Sequence, residues 1–200
     1  MADHYFSADP ESSAKTQSID FNVRGRHYTL LASTGVFSAG RLDPGTAVLL
    51  KKSDLPGPEI AGPLLDLGCG YGPIAVVLAD HAPNAEVWAV DVNSRARELA
   101  ERNTNGRKVK VSAPHLVPAE IEFEQIWSNP PIRIGKQELH ELLLLWLPRL
   151  KADGVAWLVV AKHLGSDSLQ KWLIEQGWPT EKHASGSGYR VLKVSRGQAS

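Results

Sequence analysis

The residues whose types and spacing suggest chemistry begin with a glycine-rich loop. Glycine occupies every second position of Gly68-Cys69-Gly70-Tyr71-Gly72, and Asp66 lies two residues before the first glycine. Glycines permit positive φ and let a ligand approach the backbone, because they carry no Cβ. A dinucleotide loop would have glycine at position 73, where Pro73 stands, and the Asp66 carboxylate would repel a pyrophosphate. The loop therefore favours a ligand with an ammonium group; a plain strand-to-helix turn is the alternative.

A second carboxylate, Asp91, closes the next predicted strand. A carboxylate at a strand end can accept hydrogen bonds from both hydroxyls of a ribose, each contributing roughly 1.5–3 kcal/mol. Taken alone, Asp91 could equally cap a helix that starts near Ser94. Taken with Asp66, it predicts a site for a ligand that joins adenosine to an amino acid.

The third candidate is the segment Ser128-Asn129-Pro130-Pro131-Ile132. Two successive prolines force Asn129 and Pro130 into a stiff, extended path. The side-chain oxygen of Asn129 and the carbonyl of Pro130 then form two fixed acceptors for the two hydrogens of a planar aromatic amine. Accepting them favours a pyramidal nitrogen whose lone pair can attack a methyl sulfonium, through orientation and charge placement without a strong base. A strand terminator before a helix is the alternative.

The elements that must position these residues alternate along the chain from residue 64 onward. Strands are predicted over 64–68, 86–92, 108–112, 123–129 and 155–162, and helices over 73–81, 94–103, 137–150 and 166–177, the last capped by its own Ser166. Continuous apolar strands separated by helices predict an α/β fold with a doubly wound, mostly parallel sheet. Ligands bind at the carboxyl ends of the strands in such sheets. We therefore expect the glycine loop, Asp91 and Asn129 to meet at one edge.

The N-terminal part has a different pattern. Residues 19–24 alternate apolar and polar side chains, and a second, apolar stretch over 28–32 follows Gly25, which predicts a β-hairpin. Asp43 followed by Pro44 predicts the capped start of a short helix that reaches Lys52.

Prolines and glycines between residues 55 and 63 separate two parts of one compact domain. We predict an N-terminal part over 1–54, with an arm over 1–18, and a core over 55–200. The run Ser185-Gly186-Ser187-Gly188 predicts a closing hairpin, so the last strand should run antiparallel.

Composition excludes several classes of protein. The chain has 200 residues, 22 Lys plus Arg against 22 Asp plus Glu, and one Cys. One Cys excludes a disulfide-framed scaffold and a Cys-rich zinc module, and the seven His show no metal-ligand spacing. The longest apolar runs are far shorter than the about 18 residues of a membrane helix, and residues 1–10 do not resemble a secretory signal. We expect a cytoplasmic protein without metal or membrane segment, whose zero net charge still permits a local basic patch.

These motifs carry a resemblance to a known family. Residues 66–72, Asp91 and 128–136 resemble the class I S-adenosylmethionine-dependent methyltransferases, more narrowly the small-domain family of the ribosomal RNA small-subunit guanine-N2 methyltransferases. Segments 4–7, 35–38, 43–46 and 188–191 are similar to opening and closing segments of that family. The resemblance implies a seven-stranded Rossmann-like sheet with a reversed last strand and S-adenosyl-L-methionine as the cofactor. It assigns cofactor binding to Asp66, Gly68, Cys69, Gly70, Gly72, Asp91, Val92, Ser112 and Asn129, and catalysis to Asn129, Pro130, Pro131 and Ile132.

Two residues depart from the family pattern. Ile132 stands where an aromatic residue often stacks on the target base, and Gln125 stands where an Asp often precedes the core of the strand. Both departures concern the identity of the base more than the reaction.

Positive side chains are predicted around the mouth of the site. Arg133, Lys136 and Lys162, with His163 beside the last, should lie near the carboxyl ends of the strands and hold RNA phosphates. Solvated charges at loop ends are an equal alternative, because Lys and Arg are common on protein surfaces.

The sequence thus predicts an N-methyltransferase that acts on an exocyclic amine of a base in structured RNA. Guanine N2 of ribosomal RNA is the favoured target, with an assembling small subunit as a further expected partner. Methylation of adenine N6 or of a protein glutamine amide remains open, since either would use a similar pair of acceptors. A catalytically inactive module that binds cofactor and RNA also remains open, and Pro73 disfavours a nicotinamide enzyme.

Overall fold

The computed structural model describes residues 16–33, 40–130 and 135–197. Its strands are β1 Thr16–Val23, β2 Arg26–Ser33, β3 Leu64–Leu67, β4 Val87–Val90, β5 Val109–Ser112, β6 Phe123–Ser128, β7 Leu150–Ala161, β8 Thr180–Gly186 and β9 Tyr189–Ser195. Its α-helices are α1 Pro44–Lys52, α2 Pro73–His81, α3 Ser94–Thr104, α4 Lys136–Trp146 and α5 Ser166–Glu175. The order of strands and helices confirms the predicted α/β class.

Seven strands form one sheet in the order β5-β4-β3-β6-β7-β9-β8. Strands β3 to β7 run parallel, whereas β9 is antiparallel to both of its neighbours. This confirms the predicted reversal of the last strand. Every residue of β3 and β4 is buried, because helices cover both faces of the sheet. Chain order reverses between β3 and β6, so a crevice opens at their carboxyl ends.

The predicted N-terminal hairpin is confirmed as a separate two-stranded antiparallel sheet. It begins at Thr16, so the last residues of the predicted arm belong to β1, and residues 1–15 lie outside the described part. Its apolar face joins the core under the main sheet through Ile19, Phe21, Val23, Tyr28 and Leu30. The predicted division at residues 54 and 55 stays a prediction.

One buried amide connects this hairpin to the glycine loop. Asn103 of α3 donates from Nδ2 to the carbonyls of Leu31 and Tyr71, both at 2.8 Å, and accepts from the Leu31 N–H at 2.8 Å. The hairpin is therefore linked through Asn103 to the backbone of the glycine loop and helps to hold that loop in place.

The predicted end of α4 and the predicted N-cap of α5 differ from the structure. Helix α4 ends at Trp146 instead of residue 150, and a short 3₁₀ turn follows, because Pro148 cannot donate a helical hydrogen bond. The prediction that Ser166 caps its own helix is wrong. The cap is Gly165 at φ 96°, and the Ser166 hydroxyl is buried without a partner in the described part of the chain.

Gly72, which joins the glycine loop to α2, provides a test of this packing. It has φ +87°, and a Cβ there would lie 3.3 Å from Cβ and 3.4 Å from Cα of Ala100. We expect Gly72→Ala to lower the free energy of unfolding by about 2–3 kcal/mol, through the left-handed backbone and the crowded contact with α3. Gly106→Ala is the matched control, since Gly106 has φ +80° with nothing within 4 Å of a Cβ. Denaturant titrations that gave equal losses would argue against the tight contact.

Candidate active site

The glycine loop is fixed against the end of β4 by backbone hydrogen bonds. Gly68 and Cys69 donate to the Val90 carbonyl at 2.8 and 3.0 Å, and Gly70 donates to Asp91 Oδ2 at 2.9 Å. Gly68 and Gly70 have φ of 74° and 55°, which side chains with a Cβ rarely adopt. The alternating glycines thus allow the sharp turn that brings the loop to Asp91.

Asp91 is partly exposed at the carboxyl end of β4. Its Oδ1 accepts from the Asn93 N–H at 2.9 Å and its Oδ2 from Gly70, which leaves each oxygen one further acceptor position. Burial raises the pKa of Asp91, opposed by these two N–H groups. The alternative that Asp91 caps α3 is wrong, because Asn93 is the cap and accepts from the Ala96 N–H at 3.1 Å.

Asp66 lies fully buried beneath the loop. Its Oδ2 accepts from the Ala75 N–H at 2.9 Å, and its Oδ1 has no partner in the described residues. Burial, and next the charge of Asp91, raise the pKa of Asp66 to about 8. At neutral pH the protonated form is therefore favoured, unlike the charged carboxylate that the sequence argument assumed. Its contact with an ammonium group stays a prediction.

Asn129 follows β6 at the crevice. The fully buried Ser128 donates from Oγ to the Leu67 carbonyl at 2.7 Å, which joins the ends of β6 and β3. Asn129 donates from Nδ2 to Asp43 Oδ1 at 2.7 Å and to Thr46 Oγ1 at 3.1 Å. The start of α1 is therefore bonded directly to the predicted catalytic side chain.

The crevice forms a cleft of about 340 Å³, including its opening to solvent. Its lining residues come from the start of α1, the glycine loop, the start of α2 and the end of β6: Asp43, Thr46, Gly68, Cys69, Gly70, Tyr71, Pro73, Ile74 and Asn129. The expected meeting of the glycine loop and Asn129 at one edge of the sheet is confirmed. Sequence reasoning missed Asp43, Thr46, Tyr71 and Ile74 as lining residues; the similarity of segment 43–46 to the family was the available indication.

The family model for the methyltransferase small domain matches residues 27–193. The chain belongs to this methyltransferase family. The match confirms the predicted methyltransferase class, with S-adenosylmethionine as its cofactor.

Individual relatives agree with this assignment. Uncharacterized protein YbxB of Bacillus subtilis is 34% identical over 202 residues, which cover 98% of this methyltransferase and 100% of YbxB. Ribosomal RNA small subunit methyltransferase C of Shewanella loihica is 34% identical over 152 residues, 72% of this chain and 43% of its own length. The structure of the T. thermophilus 16S rRNA N2 G1207 methyltransferase with AdoMet and guanosine gives a TM-score of 0.73 at 25% identity, over 94% of this chain and 52% of that one. This methyltransferase thus spans about half or less of the methyltransferase C proteins that it matches.

The remaining predicted cofactor residues lie near Asp91 without lining the cleft. Val92 is 41% exposed beside it. Ser112 ends β5, accepts from the Asp91 N–H at 3.2 Å through its carbonyl, and donates from Oγ to Ala113 O at 2.9 Å. Both residues are at the carboxyl edge of the sheet, and their cofactor contacts stay predictions.

The predicted catalytic and RNA-binding residues are placed only in part. Pro130 is buried next to Asn129, whereas Pro131, Ile132 and Arg133 lie outside the described residues. Lys136 is exposed at the start of α4, and Lys162 with His163 is exposed after β7. Gln125 accepts from Trp127 Nε1 at 2.8 Å, so this departure from the family has a local structural role.

The described ranges contain neither a cluster of metal ligands nor a membrane-spanning helix. No group of three or more His, Cys, Asp or Glu side chains there could hold a metal ion. None of the helices in these ranges has the length and apolar character needed to cross a membrane.

The pH dependence of stability tests the burial of Asp66. A carboxyl whose pKa is higher in the folded than in the unfolded protein contributes to the stability of the fold. This contribution is complete at pH values below the unfolded pKa, about 3.9, and it is lost as the pH rises through the folded pKa. With a folded pKa of about 8, wild type should lose stability relative to Asp66→Asn between about pH 4 and pH 8, by at most about 1.4 kcal/mol per pH unit. Asparagine keeps an acceptor for Ala75. Urea unfolding of both proteins measures the difference, and a constant difference over this window would mean that Asp66 ionises at its ordinary pKa.

Proposed function

We propose that this methyltransferase transfers a methyl group from S-adenosylmethionine to an exocyclic amine of a base in structured RNA, with guanine N2 of small-subunit ribosomal RNA as its target. The observation that carries the proposal is the cleft shared by Asn129 and the glycine loop. A cofactor held on the loop and an amine held by Asn129 would occupy neighbouring parts of this one cleft.

The residues around the loop fit the cofactor. A Cβ at Gly68 would meet nothing within 4 Å, so the backbone is open to a ligand there. Asp91 offers two acceptor positions for ribose hydroxyls, and the exposed Val92 beside it offers an apolar surface to an adenine ring. The Oδ1 atom of Asp66 has no partner in the described residues and could accept a hydrogen bond from the ammonium group of the cofactor once Asp66 is ionised. When bound, S-adenosylmethionine supplies a methyl group on a positively charged sulfur.

The end of β6 provides acceptors for the amine. Both bonds that Asn129 donates come from Nδ2, so Oδ1 is the end of the amide turned away from Asp43 and Thr46. Pro130 has no N–H, and its carbonyl is a second acceptor on a stiff backbone. Two such acceptors hold both hydrogens of an amine and leave the lone pair on nitrogen directed at the methyl donor.

The choice of RNA rests on the relatives and on charge. The Shewanella and Thermus relatives are named for methylation of small-subunit ribosomal RNA, and the latter for guanine N2. Lys136 and Lys162 are exposed at the surface, and we propose that they, together with Arg133, which lies outside the described residues, bind RNA phosphates. The target base would be unpaired or flipped, because a stacked base could not reach Asn129.

The test is methyl transfer from labelled S-adenosylmethionine to small-subunit particles from cells that lack this protein. We expect label in RNA as N2-methylguanosine, and none with Asn129→Ala. N6-methyladenosine or methylglutamine would instead identify one of the other acceptors. Cofactor binding in calorimetry without transfer to any of these substrates would identify an inactive module.

A further inference from the structure

We infer that Asp43 and Thr46 are positioning residues that fix the orientation of the Asn129 amide, so that Oδ1 and not Nδ2 is presented to the amine. The inference rests on the proposed function. The two ends of an Asn amide are nearly equal in size, and a turn of about 180° exchanges an acceptor for a donor. A donor presented to the amine would oppose its hydrogens instead of binding them. The orientation therefore decides whether the site works.

The contacts around Nδ2 leave only one favourable orientation. An ionised carboxylate accepts hydrogen bonds and cannot donate them, so Asp43 Oδ1, at 2.7 Å, requires the nitrogen end of the amide. The reversed amide would place two oxygens at about that distance, with no hydrogen between them. Thr46 Oγ1, at 3.1 Å, takes the second amide hydrogen. Thr46 is only 5% exposed, so water has little access to replace this bond.

Helix α1 fixes the position of the accepting oxygen. The same Asp43 Oδ1 accepts from the Thr46 N–H at 2.9 Å as the N-cap of the helix. The helix packs on β7 and β9 through a buried face, and a Cβ on Gly45 would lie 2.9 Å from Cε1 of Tyr189. Since its first turn is held this closely, the capping oxygen remains beside Asn129 while the helix stays docked.

Matched variants separate helix capping from amide orientation. Asp43→Ser keeps a good N-cap residue, but its shorter side chain does not reach Asn129. Asp43→Asn keeps an oxygen that can accept from both Thr46 N and Asn129 Nδ2. Thr46→Val removes the hydroxyl at similar volume, and Thr46→Ser keeps it.

Methyl transfer to the small-subunit particles gives the first measurement. We expect Asp43→Ser to lower kcat by about 10–100-fold and Thr46→Val by about 10-fold, which corresponds to the loss of one or two oriented hydrogen bonds. Asp43→Asn and Thr46→Ser should stay within about threefold of wild type, and the calorimetric Kd for S-adenosylmethionine should stay within about twofold in all four. Equal losses in Asp43→Ser and Asp43→Asn would overturn the inference, as would a loss seen only in Kd.

A second measurement does not depend on activity. Denaturant unfolding of wild type, Asp43→Ser, Asn129→Ala and the double variant gives a double-mutant cycle. We expect the pair to be coupled, with the unfolding constant of the double variant at least about threefold from the additive value. Additive effects would overturn the inference. If wild type fails to methylate RNA, the proposed function fails, and coupling in this cycle would still support the orienting contact.

Discussion

Asn129→Ala will lower kcat for methyl transfer by about 10²–10³-fold while changing the Kd for S-adenosylmethionine much less. Removal of one preoriented group that acts on the reacting atom has costs of this size in other enzymes. The alanine variant loses the acceptor for the amine, and it also leaves Asp43 and Thr46 without the amide hydrogens that they accept. Single-turnover rates with labelled cofactor measure the chemical step, and calorimetry measures binding.

The matched control is Asn22→Ala, the same change at an exposed position of the N-terminal hairpin. We expect its rate to equal that of wild type. If Asn129→Ala kept more than about a tenth of the wild-type rate, the loss would be under 1.4 kcal/mol, too little for a group that holds the amine. The Asn-Pro segment would then be only a terminator of β6.

Much of the fold was predictable because its strands are buried on both faces. A short run that is apolar apart from one residue, such as Leu64–Leu67 with its Asp66, is typical of a covered parallel strand, and all four of its residues are buried. The alternating glycines predicted the turn, since positive φ at Gly68, Gly70 and Gly72 requires residues without a Cβ. The order of the strands in the sheet was not predictable in this way, because periodicity gives the type of an element and not its neighbours.

The site was predictable in its parts but not in its connections. Four consecutive residues are enough to predict the N-cap role of Asp43. Its hydrogen bond to Asn129, in contrast, joins residues 86 positions apart in the chain. No local pattern specifies such a contact. The ionisation state of Asp66 was not predictable either. Its place before the glycines indicated a charged contact with a ligand, but complete burial favours the neutral form. Burial of a polar residue depends on what covers the strand, which its own neighbours in sequence do not determine.

Asp91→Ala should have the second large effect, a rise of about 10²-fold or more in the Kd for S-adenosylmethionine. Each hydrogen bond to a charged acceptor contributes about 1.5–3 kcal/mol, and Asp91 can accept from both ribose hydroxyls. The change also removes the acceptor for the Gly70 N–H, which holds the glycine loop at 2.9 Å from Oδ2. Both losses weaken cofactor binding, so calorimetry should detect them without any RNA substrate.

Asp91→Asn separates the two contributions. Asparagine keeps one oxygen that accepts hydrogen bonds, but it replaces the other oxygen by an NH₂ group, which only donates them. The variant therefore cannot accept from both the Gly70 N–H and the two ribose hydroxyls. We expect an intermediate rise in Kd of about 10-fold. Asp153→Ala, at an exposed position of β7, is the control and should bind as wild type does. An unchanged Kd in Asp91→Ala would remove the ribose contact from the site, and equal losses in the alanine and asparagine variants would assign the effect to the loop and not to the ribose.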